Sequence, residues 1–168
     1  MRIDLGCGNN KKIGCIGIDS RKLSQADIIA DIDKYGIPFK DNSISYVHVS
    51  HFLEHIHKLR FVINEIYRIC KNNSIVNIIV PHFTMGTSCE FHVRNFRYDS
   101  FNGYEIGRSS CNTPYFKCLK RELIFKHPYN FFNKIFNKYP NMYEQSFIHS
   151  LIFCSEVHII FKAVKEEI

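Results

Sequence analysis

Three short apolar runs near the start of the chain each end on a glycine turn or an acidic residue. Arg2–Leu5 is followed by Gly6-Cys-Gly8, Cys15–Asp19 ends on its own acid, and Asp27–Ala30 is followed by Asp31. Short apolar runs that stop at turn formers and acids are typical of buried strands. A glycine loop at the end of such a strand lets a ligand approach the backbone closely. The pattern therefore predicts an α/β sheet with a binding edge at its strand ends.

The rest of the chain continues with strands and helices in an order typical of one α/β domain. Apolar residues at spacings of three and four predict a helix over Leu59–Cys70. The continuous apolar run Ser74–Val80 predicts a strand that is buried on both faces of a sheet. The stretch 82–114 has no clear period and is long for a loop, so we expect it to be functional. We predict a single domain over residues 1–168, with further strands at Ile44–Val49, Tyr115–Phe125 and Val157–Val164 and a further helix at Tyr129–Tyr139.

The composition excludes several classes of protein. A chain of 168 residues with 45% hydrophobic and 23% charged residues is typical of a globular domain. No apolar run approaches the ~18 residues of a membrane span, and the start has no apolar signal core, so we expect a cytoplasmic protein without a membrane span. The seven cysteines include no C-x-x-C pair, and we expect reduced thiols. The net charge of +6 permits a nucleic acid as partner but does not require one.

A series of ordered segments resembles the motifs of the class I S-adenosylmethionine-dependent methyltransferases, in particular the small type-11 members. The turn after the first strand is similar to their glycine motif, and the acids after the second and third strands stand where that family has them. The resemblance covers residues 2–81 and is weaker toward the C-terminus. Its segments are Asp4-Leu-Gly6-Cys-Gly8, Cys15-Ile-Gly-Ile-Asp19, Asp27-Ile-Ile-Ala-Asp31, Pro38-Phe-Lys-Asp-Asn-Ser-Ile-Ser-Tyr-Val, Ser50-His-Phe-Leu-Glu-His55 and Glu65-Ile-Tyr-Arg-Ile-Cys-Lys-Asn-Asn73.

The resemblance implies an α/β fold: a Rossmann-like seven-stranded, mostly parallel sheet with helices on both faces, whose last strands form an antiparallel edge pair. It implies S-adenosyl-L-methionine as cofactor and S-adenosyl-L-homocysteine as its product. Gly6 and Gly8 would face the methionine and ribose parts, and Asp19 would hold the ribose hydroxyls. Asp31 with Ile32 would contact adenine, while Ser50 and His51 would lie beside the methionine tail or the sulfonium. The full set of implied cofactor residues is Asp4, Gly6, Cys7, Gly8, Asn10, Asp19, Ser20, Asp31, Ile32, Ser50 and His51.

Side chains that could act on a methyl acceptor are expected beyond the ends of the fourth and fifth strands. A general base helps when the acceptor is a hydroxyl, and we select His82 and His92 as the candidates. We predict that the methyl group passes to a small-molecule or glycan acceptor. Two alternatives stay open, a non-catalytic cofactor-binding subunit of a methyltransferase complex and an RNA methyltransferase.

The chain departs from the family pattern in two ways, in the length of its first crossover connections and in the cover over the cofactor. The connections after the first and second strands are shorter than ordinary parallel crossovers, so we expect very short helices or coil there. The chain begins at the first strand, where many methyltransferases place covering helices before it. We expect the cover to come from the stretch 82–114, acting as a lid and substrate loop, or from another subunit, as in a homodimer.

Other interpretations of the same segments explain less of the chain. His51-Phe-Leu-Glu54-His55 also matches H-x-x-E-H, in which two histidines bind zinc and the glutamate is the base. That interpretation accounts for none of the other segments, so we predict no metal. The third glycine of a dinucleotide fingerprint would fall at Lys11, which excludes a dehydrogenase. Ser50-His-Phe-Leu also differs from the Asn/Asp-Pro-Pro-aromatic motif of adenine-N6 methyltransferases.

Overall fold

A seven-stranded mixed sheet forms the centre of the molecule. The computed structural model describes residues 1–85, 90–105 and 116–165. The strand order is β3-β2-β1-β4-β5-β7-β6, in which the first five strands are parallel and β7 runs antiparallel to both of its neighbours. The predicted seven-stranded sheet with an antiparallel edge pair is confirmed. The strands are β1 Arg2–Leu5, β2 Ile16–Asp19, β3 Ile28–Ile29, β4 Ile44–Ser50, β5 Cys70–Pro81, β6 Phe116–Ile124 and β7 Glu156–Ala163.

Three of the four α-helices in the described residues have six residues or fewer. The four helices are α1 Ile32–Tyr35, α2 Leu59–Ile69, α3 Asn133–Lys138 and α4 Pro140–Gln145. The connections 6–15 and 20–27, which follow β1 and β2, contain no helix, as expected from their length. Within the described residues, no helix combines the length and the apolar character needed to cross a membrane.

The predicted helix α2 forms for the reason its sequence indicates. Its four buried side chains recur at spacings of one, three and three residues, which places them on one face of a helix: Val62, Ile63, Ile66 and Ile69. The helix ends one residue earlier than predicted, because Cys70 is already extended and starts β5. Asn73 adopts the left-handed conformation with φ of 65°, which fits the tolerance of asparagine for that region. The Tyr67 ring packs edge-on against Phe116, which fixes the side of the sheet that α2 covers.

The sheet is buried more deeply on one face than on the other. Along β5, Val76, Ile78 and Val80 are buried, whereas the alternating Ile75 and Ile79 are partly exposed. Alternate residues of a strand point to opposite faces, so the prediction that this strand is buried on both faces was wrong. Its partner β7 repeats the pattern, with partly exposed side chains at His158, Ile160 and Lys162.

Part of the predicted loop 82–114 is a component of the core. Phe96 and Phe101 are buried and stack with their ring centroids 5.3 Å apart, and Phe101 also packs edge-on against Phe161 of β7. The aromatic residues therefore pack this segment onto the same face as α2. Its role as a lid stays a prediction, and residues 86–89 and 106–114 of the stretch lie outside the described residues.

Buried thiols fit the expectation of reduced cysteines. Cys7, Cys15, Cys70 and Cys154 are buried and free. Burial raises the pKa of Cys70 and of Cys154 to about 12, so both stay protonated at neutral pH. Protonated thiols are poor nucleophiles, and these cysteines act as small apolar side chains.

One-sided burial of β5 predicts unequal effects of two neighbouring substitutions. Ile78→Ala should lower the free energy of unfolding by about 2–5 kcal/mol, because it leaves a cavity in the core. Ile79→Ala removes a partly exposed side chain, and we expect a loss of about 1 kcal/mol. Urea denaturation followed by circular dichroism measures both. Equal losses would mean that the second face is covered in solution.

Candidate active site

A pocket opens where the carboxyl ends of β1 and β4 meet. The two strands are parallel neighbours in the middle of the sheet, with Asp4 opposite His48 and Leu5 opposite Val49. The chain leaves β1 toward β2 on one side, while β4 and β5 lie on the other side. Such a switch point in an open α/β sheet is the usual place of a ligand crevice.

Most of the predicted cofactor residues line this one pocket. Its volume is about 390 Å³, which falls in the range of small-molecule sites. The glycine loop forms one wall, and the residues after β4 form the opposite wall. The lining residues are Asp4, Gly6, Cys7, Gly8, Asn9, Asn10, Arg21, His48, Ser50 and His51.

Two glycines of the loop have backbone conformations that other residues rarely adopt. Gly6 has φ of 66° and Gly8 has φ of 52°. A Cβ on Gly6 would lie 2.3 Å from Cδ2 of the Phe52 ring, so the close approach of the two segments also requires glycine. At Gly8 the nearest atom would be Nη2 of Arg21, at the end of a flexible side chain.

A buried acid and a buried histidine form the polar floor. The Asp4 carboxylate accepts a hydrogen bond of 2.7 Å from the Lys12 backbone N–H. Burial raises the pKa of Asp4 and lowers the pKa of His48, which stands opposite it on β4. His48 Nδ1 lies 3.2 Å from the Asn77 amide nitrogen on β5. The sequence interpretation missed His48, although the alternation of β4 places it on the same face as Ser50.

Asp19 has both carboxylate oxygens engaged within the protein. Oδ2 accepts from the Gly8 backbone N–H at 2.9 Å, and Oδ1 accepts from the backbone N–H of Arg21 at 2.8 Å and from its Nε at 3.2 Å. Burial alone would raise the pKa of Asp19, but the hydrogen bonds from Arg21 and Gly8 lower it. The acid is therefore ionised and ties the glycine loop to the end of β2.

His51 lies at the rim of the pocket and is held by two carboxylates. It has φ of 49°, which turns the chain sharply after β4. Its Nε2 lies 3.4 Å from Glu156 Oε1 and its Nδ1 lies 3.4 Å from Glu54 Oε1. These two acids raise the pKa of His51 to about 9. Glu156 also contacts Lys126 and His158, and the hydrogen bonds from His158, His51 and Lys126 lower its pKa.

Four predicted cofactor residues lie outside the pocket lining: Asp19, Ser20, Asp31 and Ile32. Asp31 accepts from the Lys34 backbone N–H and caps α1, and the Ile32 side chain is buried in the core. Ser20 is exposed directly after Asp19. In the other direction, Asn9 and Arg21 line the pocket without having been predicted. Their position depends on the path of coil, which carries no periodic signal in the sequence.

His82, a predicted catalytic residue, is buried with both ring nitrogens engaged. Its Nε2 lies 3.0 Å from Glu144 Oε1 and its Nδ1 lies 2.8 Å from Thr84 Oγ1. Glu144 accepts in addition from the Tyr98 backbone N–H at 2.6 Å, and these hydrogen bonds lower the pKa of the acid against the effect of its burial. Because an ionised carboxylate only accepts, Nε2 of His82 carries a proton. Through its contact with Glu144, His82 links the end of β5 to α4.

His92, the second predicted catalytic residue, lies in a different place. It is partly buried, and its ring packs edge-on against His55 with the centroids 4.9 Å apart. His55 belongs to a 3-10 turn, Leu53–His55, that follows β4. The fold thus brings the segment around His92 to the carboxyl end of β4, and it does not bring His82 and His92 together.

The glycine geometry predicts different effects of two alanine substitutions. Both glycines have positive φ, but only Gly6→Ala also meets the body of an aromatic ring. We expect Gly6→Ala to lower the free energy of unfolding by about 1–3 kcal/mol more than Gly8→Ala does. Thermal and urea denaturation of the two variants check this. Equal destabilisation would show that Phe52 moves aside at no cost.

Burial of His82 predicts acid sensitivity. Burial lowers its pKa below the ordinary 6.5, so the unfolded chain takes up a proton on His82 at a pH where the folded chain does not. The free energy of unfolding should therefore fall as the pH drops below 6.5, by at most about 1.4 kcal/mol per pH unit from this group. His82→Gln should flatten the dependence between pH 7 and 5 in urea denaturation, whereas His127→Gln, at an exposed position, should not.

A comparison with known families matches the part of the chain that contributes Arg21, His48, Ser50 and His51 to the pocket. Residues 15–78 match a family model described as a methyltransferase domain. This segment runs from the start of β2 to β5 and contains most of the predicted motifs. No curated protein matches the chain.

Solved structures show the same fold over nearly the whole chain. A SAM-dependent methyltransferase from Archaeoglobus fulgidus is 17% identical, with 95% of this chain and 84% of that chain covered and a TM-score of 0.66. The YcgJ protein from Bacillus subtilis is 14% identical, with 98% and 92% covered and a TM-score of 0.63.

A third solved structure is a complex of two proteins. It holds the Haloferax volcanii Trm112 methyltransferase activator and its methyltransferase partner, and the match is 14% identical, covers 99% of this chain and 82% of that chain and has a TM-score of 0.65. The resemblance to the class I methyltransferases is confirmed at the level of the fold, and residues 15–78 match the family model described as a methyltransferase domain.

Proposed function

We propose that the chain is an S-adenosylmethionine-dependent methyltransferase whose cofactor occupies the pocket between the glycine loop and the residues after β4. The observation that carries the proposal is that two of the segments assigned by resemblance, the glycine turn and Ser50-His51, line this single pocket. They come from β1 and β4, which are 40 residues apart in the chain but adjacent in the sheet.

The pocket fits the proposed cofactor in shape and in polarity. Gly6 and Gly8 line the wall without side chains, so a ribose and a methionine chain can lie close to the backbone there. Ser50 and His51 stand across from the glycines, next to the proposed methionine tail. At the ribose end, Asp19 is the acceptor for the two hydroxyls. To reach Oδ1, a ribose has to displace the Arg21 side chain, which is two-thirds exposed and free to turn away.

Methyl transfer from this cofactor does not require a covalent intermediate with the protein. S-adenosylmethionine supplies a methyl group that is already activated on a sulfonium, so the protein has to orient the acceptor and exclude water. A base helps when the acceptor is a hydroxyl. Of the two predicted bases, His82 has no free ring nitrogen, and we assign it a positioning role through Glu144. His92, at the carboxyl end of β4, stays the candidate for direct action.

Cofactor affinity is the first test of this function. Asp19→Ala should weaken binding of S-adenosylmethionine in isothermal titration calorimetry by about 10- to 100-fold, since a hydrogen bond to a charged group contributes about 1.5–3 kcal/mol. Arg21→Ala removes the side chain that competes for Asp19 and should bind at least as tightly as the wild type. Asp41→Ala, at an exposed acid paired with Arg68, is the matched control and should bind unchanged. Unchanged binding in Asp19→Ala would place the cofactor elsewhere.

Turnover separates the proposed enzyme from its alternatives. The chain should release S-adenosylhomocysteine when incubated with the cofactor and pools of small metabolites or glycans. Release only with an RNA pool would favour the RNA methyltransferase. A basic pocket of about 530 Å³, lined among others by Lys34, Lys58, Arg60 and Arg94, suits an anionic acceptor of either kind. Tight binding without turnover on any pool would favour a subunit that needs a partner, the arrangement in which the Haloferax volcanii relative was crystallised.

A further inference from the structure

We propose that Glu54, His55 and His92 form a binding site for a divalent transition-metal ion. Each side chain offers one ligand atom, and these atoms all lie within 4.8 Å of one another. Two of the residues belong to the turn after β4, and the third comes from the segment that follows β5. The site is separate from the proposed cofactor pocket, because none of the three residues lines that pocket.

The unusual member of the group is Glu54. Its side chain is 1% exposed, and neither carboxylate oxygen has a hydrogen-bond partner among the described residues. The His51 ring lies 3.4 Å from Oε1, and Oε2 forms no hydrogen bond within the described part of the chain. A buried carboxylate without hydrogen bonds is costly, and in folded proteins such groups are paired or bind a metal. A cation between Glu54 and the two histidines supplies the missing partner.

The backbone holds the two segments of the site in register. Val93 donates its backbone N–H to the Glu54 carbonyl at 2.9 Å, and the Arg94 guanidinium donates to the Ile56 carbonyl at 3.0 Å. His55 Nδ1 lies 3.1 Å from the Phe91 carbonyl, which accepts its proton. That hydrogen bond leaves Nε2 as the acceptor atom of the ring, and a carbonyl behind a ligating histidine is the usual support of a metal site.

The donor set indicates the class of ion. Two imidazoles and one carboxylate suit Zn²⁺, Fe²⁺ or Co²⁺, whereas Mg²⁺ and Ca²⁺ require oxygen ligands. Three protein ligands leave a fourth position for water or substrate, as in catalytic zinc sites.

This arrangement differs from the H-x-x-E-H motif considered from the sequence. In that motif the two histidines share one face of a helix, but Leu53–His55 forms a 3-10 turn and His51 turns toward Glu156. Glu54 therefore serves as a ligand here, and His92 replaces His51. The prediction of no metal was made because the H-x-x-E-H motif accounts for none of the other segments, and that motif does not contain His92, which lies 37 positions beyond His55.

Metal titration of the full-length protein tests the proposal without the cofactor or an acceptor. After treatment with a chelator, the wild type should bind one equivalent of Zn²⁺ in calorimetry, and Co²⁺ should give the visible absorption of a low-symmetry site. His92→Ala and Glu54→Gln should each weaken Zn²⁺ binding by at least about tenfold. Mg²⁺ should produce no saturable heat.

A neighbouring histidine provides the matched control. His57 is exposed and lies two residues after His55, so His57→Ala should bind Zn²⁺ like the wild type. Should Glu54→Gln fail to fold, as judged by circular dichroism, His55→Ala and His92→Ala still test the site from less buried positions. The proposal is wrong if the wild type binds no Zn²⁺, if the histidine variants bind it as well as the wild type, or if His57→Ala abolishes binding. Because binding of S-adenosylmethionine is not measured, failure of the proposed function would not affect this result.

Discussion

The short connections around β1 and β2 are the constraint on which the binding edge depends. Because no helix follows either strand, the N–H groups of this coil lack the partners that a helix provides, and buried carboxylates accept from them instead. Asp4 accepts from the backbone N–H of Lys12, and Asp19 accepts from that of Gly8. These acids hold the glycine loop open at the ends of the strands, so the pocket is a direct consequence of how the coil satisfies its hydrogen bonds.

The same acids connect stability to the proposed chemistry. Asp19 is the proposed ribose acceptor, yet it also fixes the backbone of Gly8 and the start of the next connection at Arg21. Substitution at such a position changes the loop and the ligand contact together, which is why the Arg21 side chain is the cleaner probe. His82, in contrast, contributes to the structure alone. Its two ring nitrogens contact Thr84 and Glu144, so neither nitrogen is free to act on a substrate.

The fold follows the sequence closely where the signal is local. The apolar runs predicted the ends of most strands to within one or two residues. The spacing of Val62, Ile63 and Ile66 predicted α2. Burial of β5 was overestimated, because an apolar run does not reveal that Ile75 and Ile79 lack a covering layer. The segment 90–105 was also misjudged as loop alone, since Phe96 and Phe101 carry no period and enter the core only by packing on β7.

The sequence by itself determined where the strands lie along the chain, where the glycine turn is and which acids stand at the strand ends. Each of these features depends on residues that are close in the chain. Only the tertiary structure decided which distant side chains meet. Parallel pairing of β1 and β4 places His48 in the pocket, α4 brings Glu144 to His82, and the segment after β5 brings His92 to Glu54. Contacts of this kind join residues tens of positions apart, and no local pattern of hydrophobicity or turn residues encodes them.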